Sequence, residues 1–506
     1  MNGRTRWTGP VVAAAFCGLM LLLEAPVAWA VPASGATEGM AQPDGTPIRL
    51  RLFGDEFYHW HETADGYTVQ RGPDGWWRYA VRDARGDLAP GPQRVGVDAR
   101  PAGLAPKLRP DPAILEQRIR SRRRRGLAPQ AQPVALAADE AARLGPATAT
   151  AARPPRRVEP RGAIKNLVIL CRFADHTTTG VRAASEYDLL FNEVGHSTDG
   201  AAGSVKDYFN EASYGIVDLQ STIVGWYALP RNEAYYGADL VWGDDQVWEM
   251  VRDAVNAADA AGLDFSQFDT DGDGWIDAID IIHSGYGQEY VGADPNLVWS
   301  HRGWLGDTDA VQKDGVWISG YHTEPALRST AGTNIVRIGV ICHETGHFFG
   351  LPDLYDTDGA TNGYGNGLGA WCLMASGSWG GDGGSSPQRP THLCAWSKMQ
   401  LGWVDPVSIH TTDGWSLPRV ETNATVYKVK EGLPGSEYFL VSNRNLYGFD
   451  SLLVSGGLEI LHVDEARLDN NRPNYLKVTF EEADGNFQER AFMPLFRASR
   501  ILILQC

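Results

Sequence analysis

Long apolar segments are nearly absent from this chain of 506 residues. The one continuous run, Val11 to Leu23, follows two arginines and precedes the small-x-small triplet Ala28-Trp29-Ala30. This order is typical of a signal peptide for bacterial export, and the run is too short for a comfortable membrane span. We therefore predict a signal peptide at residues 1–30 and a secreted, extracellular protein without a membrane anchor.

Positive charge and cysteine are scarce as well. The 62 acidic residues exceed the 45 basic ones, giving a formal net charge of -17, which argues against nucleic acid or an anionic membrane as partner. Of the six cysteines, Cys17 lies within the predicted signal peptide, so an odd number remains and at least one is unpaired. Cys372 and Cys394 are candidates for a disulfide.

Residues 343–353 read H-E-x-x-H-x-x-G-x-x-D. On a helix, His343 and His347 lie on one face about a turn apart, so both can bind one metal ion. Glu344 is placed to meet a water bound to that metal. The alternative is a buried histidine pair on an ordinary amphipathic helix, which leaves two polar side chains in need of partners.

The sequence also indicates where this helix begins and ends. Thr333 or Asn334 is the predicted N-terminal cap. Gly350 can adopt the left-handed conformation that ends a helix, and Pro352 cannot continue one. The chain can therefore turn back and supply Asp353 as a third, oxygen ligand.

Several separate segments carry a family resemblance. Residues 372–379 (C-L-M-A-S-G-S-W) look like the methionine turn of metzincin peptidases. Together with the metal motif and residues 204–209, 213–215 and 298–301, they make the chain resemble the immune inhibitor A family of secreted bacterial zinc metallopeptidases. The resemblance runs from about Gly54 to Gly485. It implies that Met374 forms an apolar floor beneath the zinc.

The expected fold is α+β and multidomain, with a zincin- or metzincin-like catalytic domain at residues 163–404 that has a mixed sheet and an active-site helix. A β-rich domain at residues 31–103 precedes it, with its first fifteen residues expected to be disordered, and the resemblance implies that it is a propeptide. Residues 104–162 are predicted to be a flexible linker rich in Arg, Ala and Pro, where activating cleavage is expected. The β-rich region 405–506 departs from the family after Gly485, so a frame-shifted or truncated end and a genuine short strand are alternatives.

A second metal site is predicted in residues 269–280, which match a calcium-binding loop position by position. The loop's Gly274 stands at the sharp turn, and an acidic turn without an ion is the alternative. The expected calcium ligands are Asp269, Asp271, Asp273, Trp275 through its backbone carbonyl, Asp277 and Asp280.

The predicted function is zinc-dependent endopeptidase activity on extracellular proteins and peptides, with Glu344 as general base. Synthesis as a zymogen makes the protein's own propeptide a partner before activation, and calcium stabilises the fold. Tyr355, Tyr364 and His322 are unranked candidates for stabilising the oxyanion. The alternative is a secreted binding or adhesion protein whose metal site is not catalytic.

Overall fold

The computed structural model describes residues 29–33, 35, 37–125, 158–176, 180–237, 246–291, 296–305, 309–329, 331–357, 365–382, 386–410, 415–471 and 476–481. Most of the predicted signal peptide and the chain's last residues, from Glu482 on, lie outside these ranges. Among the described helices, none combines the length and the apolar character that crossing a bilayer requires.

Nineteen strands fall within the described ranges. They are β1 (Trp29–Ala30), β2 (Thr37–Ala41), β3 (Pro47–Gly54), β4 (His59–Thr63), β5 (Thr68–Arg71), β6 (Trp77–Arg82), β7 (Leu88–Arg94), β8 (Gly162–Arg172), β9 (Val217–Ala228), β10 (Ala278–Tyr286), β11 (His301–Trp304), β12 (Val311–Lys313), β13 (Val316–Ile318), β14 (Gly320–Leu327), β15 (Val407–Ser408), β16 (Tyr427–Val429), β17 (Glu437–Arg444), β18 (Gly457–Asp464) and β19 (Val478–Phe480).

Eight α-helices fall within the same ranges. They are α1 (Pro112–Arg125), α2 (Ala184–Asn192), α3 (Val205–Ala212), α4 (Glu233–Gly237), α5 (Val247–Ala260), α6 (Gln288–Val291), α7 (Ile338–Phe348) and α8 (Ala395–Gln400). Helix α7 begins at Ile338 with Arg337 as its cap, so the prediction of Thr333 or Asn334 as the cap is wrong.

A mixed six-stranded sheet in the order β1-β11-β14-β10-β8-β9 forms the centre of the molecule. Strands β9, β8, β10 and β14 are parallel, whereas β11 is antiparallel to β14. Strand β8 is buried on both faces, as parallel strands covered by helices are. Its Val168 packs toward α2 and α3, and its neighbour Ile169 packs toward α5. These mixed sheets and helices confirm the α+β class.

Two further sheets flank this centre. Strands β2 to β7 form an antiparallel sheet in sequential order, as the aromatic, turn-rich sequence of the N-terminal region predicts. Strands β15 to β19 form a second sheet in the C-terminal region, also in sequential order. Its strand β17 alternates half-buried and buried side chains, because one face covers the core.

The structure corrects the prediction of a flexible linker that begins at residue 104. Residues 112–125 form helix α1, and its Leu115 and Ile119 pack against Phe57, Tyr58 and Trp60 of the N-terminal sheet. Within this arginine-rich sequence, two apolar residues lie one turn apart on one face of the helix. Their packing attaches the helix to the N-terminal domain. The Ala- and Pro-rich part of the linker, residues 126–157, lies outside the described residues.

Helix α1 gives a first test of the fold. Leu115 is fully buried, so Leu115→Ala should lower the free energy of unfolding of this domain by about 2–5 kcal/mol. Chemical denaturation followed by tryptophan fluorescence measures the change. Gln117→Ala, at an exposed position of the same helix, is the matched control and should have little effect. Equal stabilities of the two variants would contradict the docking of α1.

Candidate active site

Helix α7 is buried along almost its whole length and carries both motif histidines. The Nε2 atoms of His343 and His347 lie 3.0 Å apart. The Oδ1 atom of Asp353 lies 3.2 Å from the first and 3.3 Å from the second. One donor atom from each of the three predicted zinc ligands thus lies at a corner of a nearly equilateral triangle.

A hydrogen bond from Nδ1 to a main-chain carbonyl fixes the orientation of each imidazole. The Nδ1 atom of His343 lies 2.6 Å from the Leu373 carbonyl oxygen, and that of His347 lies 2.8 Å from the Leu351 carbonyl oxygen. A carbonyl only accepts, so each Nδ1 carries the proton and each Nε2 presents a lone pair. Burial lowers the pKa of His347 to about 4, which keeps this imidazole neutral.

The donor set fits a zinc ion. Three atoms bound at about 2.0–2.1 Å in tetrahedral geometry stand roughly 3.3 Å from one another. Neither carboxylate oxygen of the buried Asp353 accepts a hydrogen bond from the described residues. Its carboxylate lies beside the Nε2 lone pairs of two imidazoles, an arrangement that a cation stabilises.

The chain reversal that delivers Asp353 occurs as predicted. Gly350 has a φ of 88°, in the left-handed region that glycine adopts without strain. Its N–H donates to the carbonyl of His347 at 2.8 Å, and the N–H of Leu351 donates to that of Gly346 at 3.1 Å. These two bonds close the helix and turn the chain back toward the histidines.

Met374 lies directly against the middle of α7. A Cβ atom built on Gly346 would lie only 2.5 Å from the sulfur of Met374. The N–H of Leu354 also donates to the carbonyl of Met374 at 2.7 Å, which ties the ligand-bearing turn to this segment. Gly346 was not singled out from the sequence, although a glycine inside an otherwise regular helix signals close packing.

Glu344 is fully buried and faces the N-terminal segment of the same chain. Its Oε1 accepts a hydrogen bond of 2.9 Å from the backbone N–H of Val31, 313 residues earlier, and its Oε2 has no hydrogen-bond partner among the described residues. Burial, followed by the charges of Glu324, Glu56 and Asp353, raises the pKa of Glu344 well above its ordinary value.

The segment around Val31 is held by several backbone contacts. Strand β1 pairs antiparallel with β11, with Trp29 opposite Arg302. The carbonyls of Val31 and Pro32 accept hydrogen bonds from the indole nitrogens of Trp299 at 3.1 Å and Trp379 at 2.9 Å.

The prediction that the residues after position 30 are disordered is therefore wrong. Residues 31–33 are buried, and residues 37–41 form β2. Their small side chains do not indicate these contacts, because the hydrogen bonds run through the backbone to residues that are distant in the sequence.

The candidates for stabilising the oxyanion lie in different places in the structure. Tyr355 is buried, His322 lies with Glu324 behind the helix, and Tyr364 is outside the described residues. The sequence did not indicate Arg302, a half-buried residue of β11. Desolvation lowers the pKa of Arg302 to about 10 while the charge of Glu344 opposes that shift, so this cation lies near the carboxylate of Glu344.

Of the predicted calcium ligands, three come together. Asp269, Asp271 and Asp273 each place a carboxylate oxygen within 4.8 Å of the others. The oxygens of Asp269 also accept hydrogen bonds from the backbone N–H groups of Gly272, Asp273 and Gly274 at 2.9–3.1 Å. The loop therefore has internal partners for part of its negative charge.

The remaining carboxylates of that loop point elsewhere. Asp277 accepts a hydrogen bond from the backbone N–H of Thr270 at 3.0 Å. Asp280 lies in β10, fully buried beside His322 and Glu324 of β14. The prediction of Asp280 as the twelfth loop ligand is wrong, because β10 begins at Ala278 and carries Asp280 into the interior.

Comparison with known proteins supports the family resemblance. Residues 183–404 match the family model described as immune inhibitor A peptidase M6, catalytic domain. These residues are therefore similar to the catalytic domain of the immune inhibitor A family. The metal motif and Met374 both lie inside the matched range, where the resemblance had been read from the sequence.

Two curated proteins also align with part of the chain. Immune inhibitor A of Bacillus thuringiensis subsp. alesti is 36% identical over 200 residues, which are 35% of this chain and 28% of the relative. The pre-pro-metalloprotease PrtV of Vibrio cholerae serotype O1 (strain M66-2) is 30% identical over 265 residues, 46% of this chain and 28% of the relative. The chain thus spans less than a third of either curated relative.

The packing of Met374 on α7 can be tested with a double-mutant cycle. Gly346→Ala should lower the free energy of unfolding, because forcing a methyl group against the Met374 sulfur costs about 1–3 kcal/mol. Alanine regains only roughly 1 kcal/mol over glycine through helix propensity. In a Met374→Ala background the same substitution should be neutral or stabilising. Denaturation with excess zinc measures all four proteins, and additive effects would contradict the contact.

Proposed function

We propose that this protein is a zinc-dependent endopeptidase that is made as an inactive precursor and acts on extended polypeptides outside the cell. The observation that carries the proposal is the convergence of His343, His347 and Asp353 with the buried carboxylate of Glu344 next to them. A purely structural zinc site needs four protein ligands and no adjacent base. Three ligands and a carboxylate are the set that a zinc hydrolase uses.

Each residue has a defined part in peptide hydrolysis. His343, His347 and Asp353 would hold the zinc. When bound, that ion supplies Lewis acidity, which makes a water molecule a stronger nucleophile near neutral pH. Glu344 takes the proton from the attacking water on its carboxylate and passes it to the nitrogen of the leaving amine. Its raised pKa suits both accepting and returning that proton.

The substrate would bind as an additional strand at the edge of the central sheet. Strand β11 is the neighbour of β1 at that edge, and β1 already pairs with it as an antiparallel strand leading to Glu344. Backbone pairing of this kind recognises an extended chain with little dependence on side chains. The edge strand, helix α7 and the turn at Met374 support a zincin or metzincin architecture.

Latency is supported by the segment that occupies this edge. The N–H of Val31 donates to the proposed general base, and the two indole hydrogen bonds hold the residues beside it. Residues 31–33 follow the predicted signal peptide and would keep these contacts after export, whereas β1 lies within residues 1–30. The N-terminal domain would therefore block the site until it is removed, and the name pre-pro-metalloprotease of one relative is consistent with such a precursor. Because no cysteine occurs in residues 31–103, a thiolate takes no part in this block.

Two other expectations remain predictions. The cluster of Asp269, Asp271 and Asp273 is the part of the predicted loop that could bind calcium. Export depends on residues 1–30, most of which lie outside the described ranges. The alternative function, a secreted binding or adhesion protein with a metal site that is not catalytic, predicts no dependence on Glu344.

The role of Glu344 can be tested on the matured enzyme. Glu344→Gln keeps the shape of the side chain but cannot accept the proton, so casein hydrolysis should fall by a factor of at least about 100. Zinc content, measured by mass spectrometry, should stay the same. Glu437→Gln, in the C-terminal sheet, is the matched control. Retained hydrolysis would refute the role of Glu344 and favour the alternative function.

The block by the N-terminal segment can be tested on the uncut precursor. The double substitution Trp299→Phe and Trp379→Phe removes both indole donors but keeps aromatic rings. Two hydrogen bonds of about 0.5–1.5 kcal/mol each hold the segment, so their loss should speed hydrolysis of a short fluorogenic peptide at least about fivefold. Trp275→Phe, in the acidic loop, is the control. An uncut wild-type chain as active as the matured enzyme would contradict latency.

A further inference from the structure

A second set of metal-ligating side chains lies in the interior, on strands β10 and β14. Asp280, His322 and Glu324 are all buried, with at most 1% of any side chain exposed. The Nδ1 atom of His322 lies 2.9 Å from Glu324 Oε1 and 3.7 Å from Asp280 Oδ1. One donor atom from each residue lies within 4.8 Å of the other two. None of these residues belongs to the set of His343, His347 and Asp353.

The two carboxylates have too few partners for their burial. Apart from each other's carboxyl group, both oxygens of Asp280 and Oε2 of Glu324 lack a hydrogen-bond partner within the described residues. The only ion pairs that either carboxylate makes there are with His322, and one imidazole nitrogen cannot neutralise two anions. Leaving such a pair ionised in the interior is costly, so protons or a cation must compensate it.

The donor chemistry distinguishes between cation classes. One imidazole nitrogen with two carboxylate oxygens suits a first-row divalent ion of the Zn²⁺ or Mn²⁺ class, whereas Ca²⁺ takes six to eight oxygen ligands. Donor atoms about 2.0–2.2 Å from a shared ion stand roughly 2.9–3.8 Å apart when their bonds diverge by 90–120°. Both measured separations, 2.9 and 3.7 Å, lie in that range. In the first set of His343, His347 and Asp353, the buried carboxylate oxygens of Asp353 likewise lack hydrogen-bond partners among the described residues.

Burial raises the pKa of Glu324 to about 8 and that of Asp280 well above its ordinary value, each with a contribution from a neighbouring carboxylate. Without a cation, the pair would therefore hold protons near neutral pH. Shared protons and a bound metal are two ways to compensate the same charges. The imidazole favours the metal, because it adds a lone pair of the type that Zn²⁺ binds well.

We propose that Asp280, His322 and Glu324 form a second site for a divalent cation of the Zn²⁺ class. The site joins β10 to β14 behind the active-site helix, where the His322 ring lies 6.1 Å from that of Phe348 at the end of α7. A cation here fastens two central strands together and supports the helix that presents His343 and His347. This proposal does not depend on hydrolytic activity.

The test uses the full chain with His343→Ala and His347→Ala, which removes the first zinc centre and its activity. The protein is dialysed against Zn²⁺ alone, freed of loose metal by gel filtration, and its zinc is counted by mass spectrometry. This background should retain one zinc per chain, and wild type should retain two. Adding Asp280→Asn and Glu324→Gln should remove the retained zinc. Asp271→Asn with Asp273→Asn, added instead, is the matched control and should leave it bound.

Two results would overturn the proposal. One is a folded background protein, judged by circular dichroism, that retains no zinc. The other is zinc that persists after both buried carboxylates have been changed to amides. If the amide variant does not fold, the zinc counts of wild type and of the His343→Ala/His347→Ala protein decide the question, and one and zero zinc per chain reject the second site. Loss of casein hydrolysis in Glu344→Gln tests the proposed function separately.

Discussion

The reversal of the chain after helix α7 is the constraint on which the site depends. Two imidazoles on one helical face give a metal only two ligands, and the third must come from residues beyond the helix end. The left-handed Gly350 makes the reversal possible, and the hydrogen bond between Leu354 and Met374 fixes its direction. The carbonyls behind the two histidines then set which nitrogen faces the metal. Backbone geometry therefore determines the donor triangle.

The N-terminal segment is the second organising element of this site. It uses the same sheet edge that we propose for substrates, and its N–H meets the carboxylate of Glu344. The N-terminal sheet supports it from outside, because Ala33 donates to the carbonyl of Gly54 at 2.7 Å. The stability of that sheet, and of helix α1 on it, thus bears on how firmly the cleft is covered. Under the proposed latency, a few backbone hydrogen bonds would link the fold of the N-terminal domain to access to the site.

Local spacing predicted much of this molecule. The convergence of His343, His347 and Asp353 and the turn at Gly350 both follow from patterns within about a dozen residues. The misses depend on long-range packing. Val31 meets Glu344 across 313 positions, and nothing in a small, polar stretch indicates that partner. Asp280 fits a calcium loop by spacing alone, but the start of a buried strand outweighs the local pattern. The arginine-rich stretch reads as a linker because only Leu115 and Ile119 anchor α1.

The pairing of β1 with β11 has a consequence for the exported protein, because β1 lies within the predicted signal peptide of residues 1–30 and would leave with it. The edge of β11 at His301 and Arg302 would then present unpaired amide and carbonyl groups, and an open strand edge pairs readily with any extended chain. A partly unfolded neighbouring copy could pair with this edge just as a substrate would. Loss of β1 would thereby favour association between copies at high local concentration.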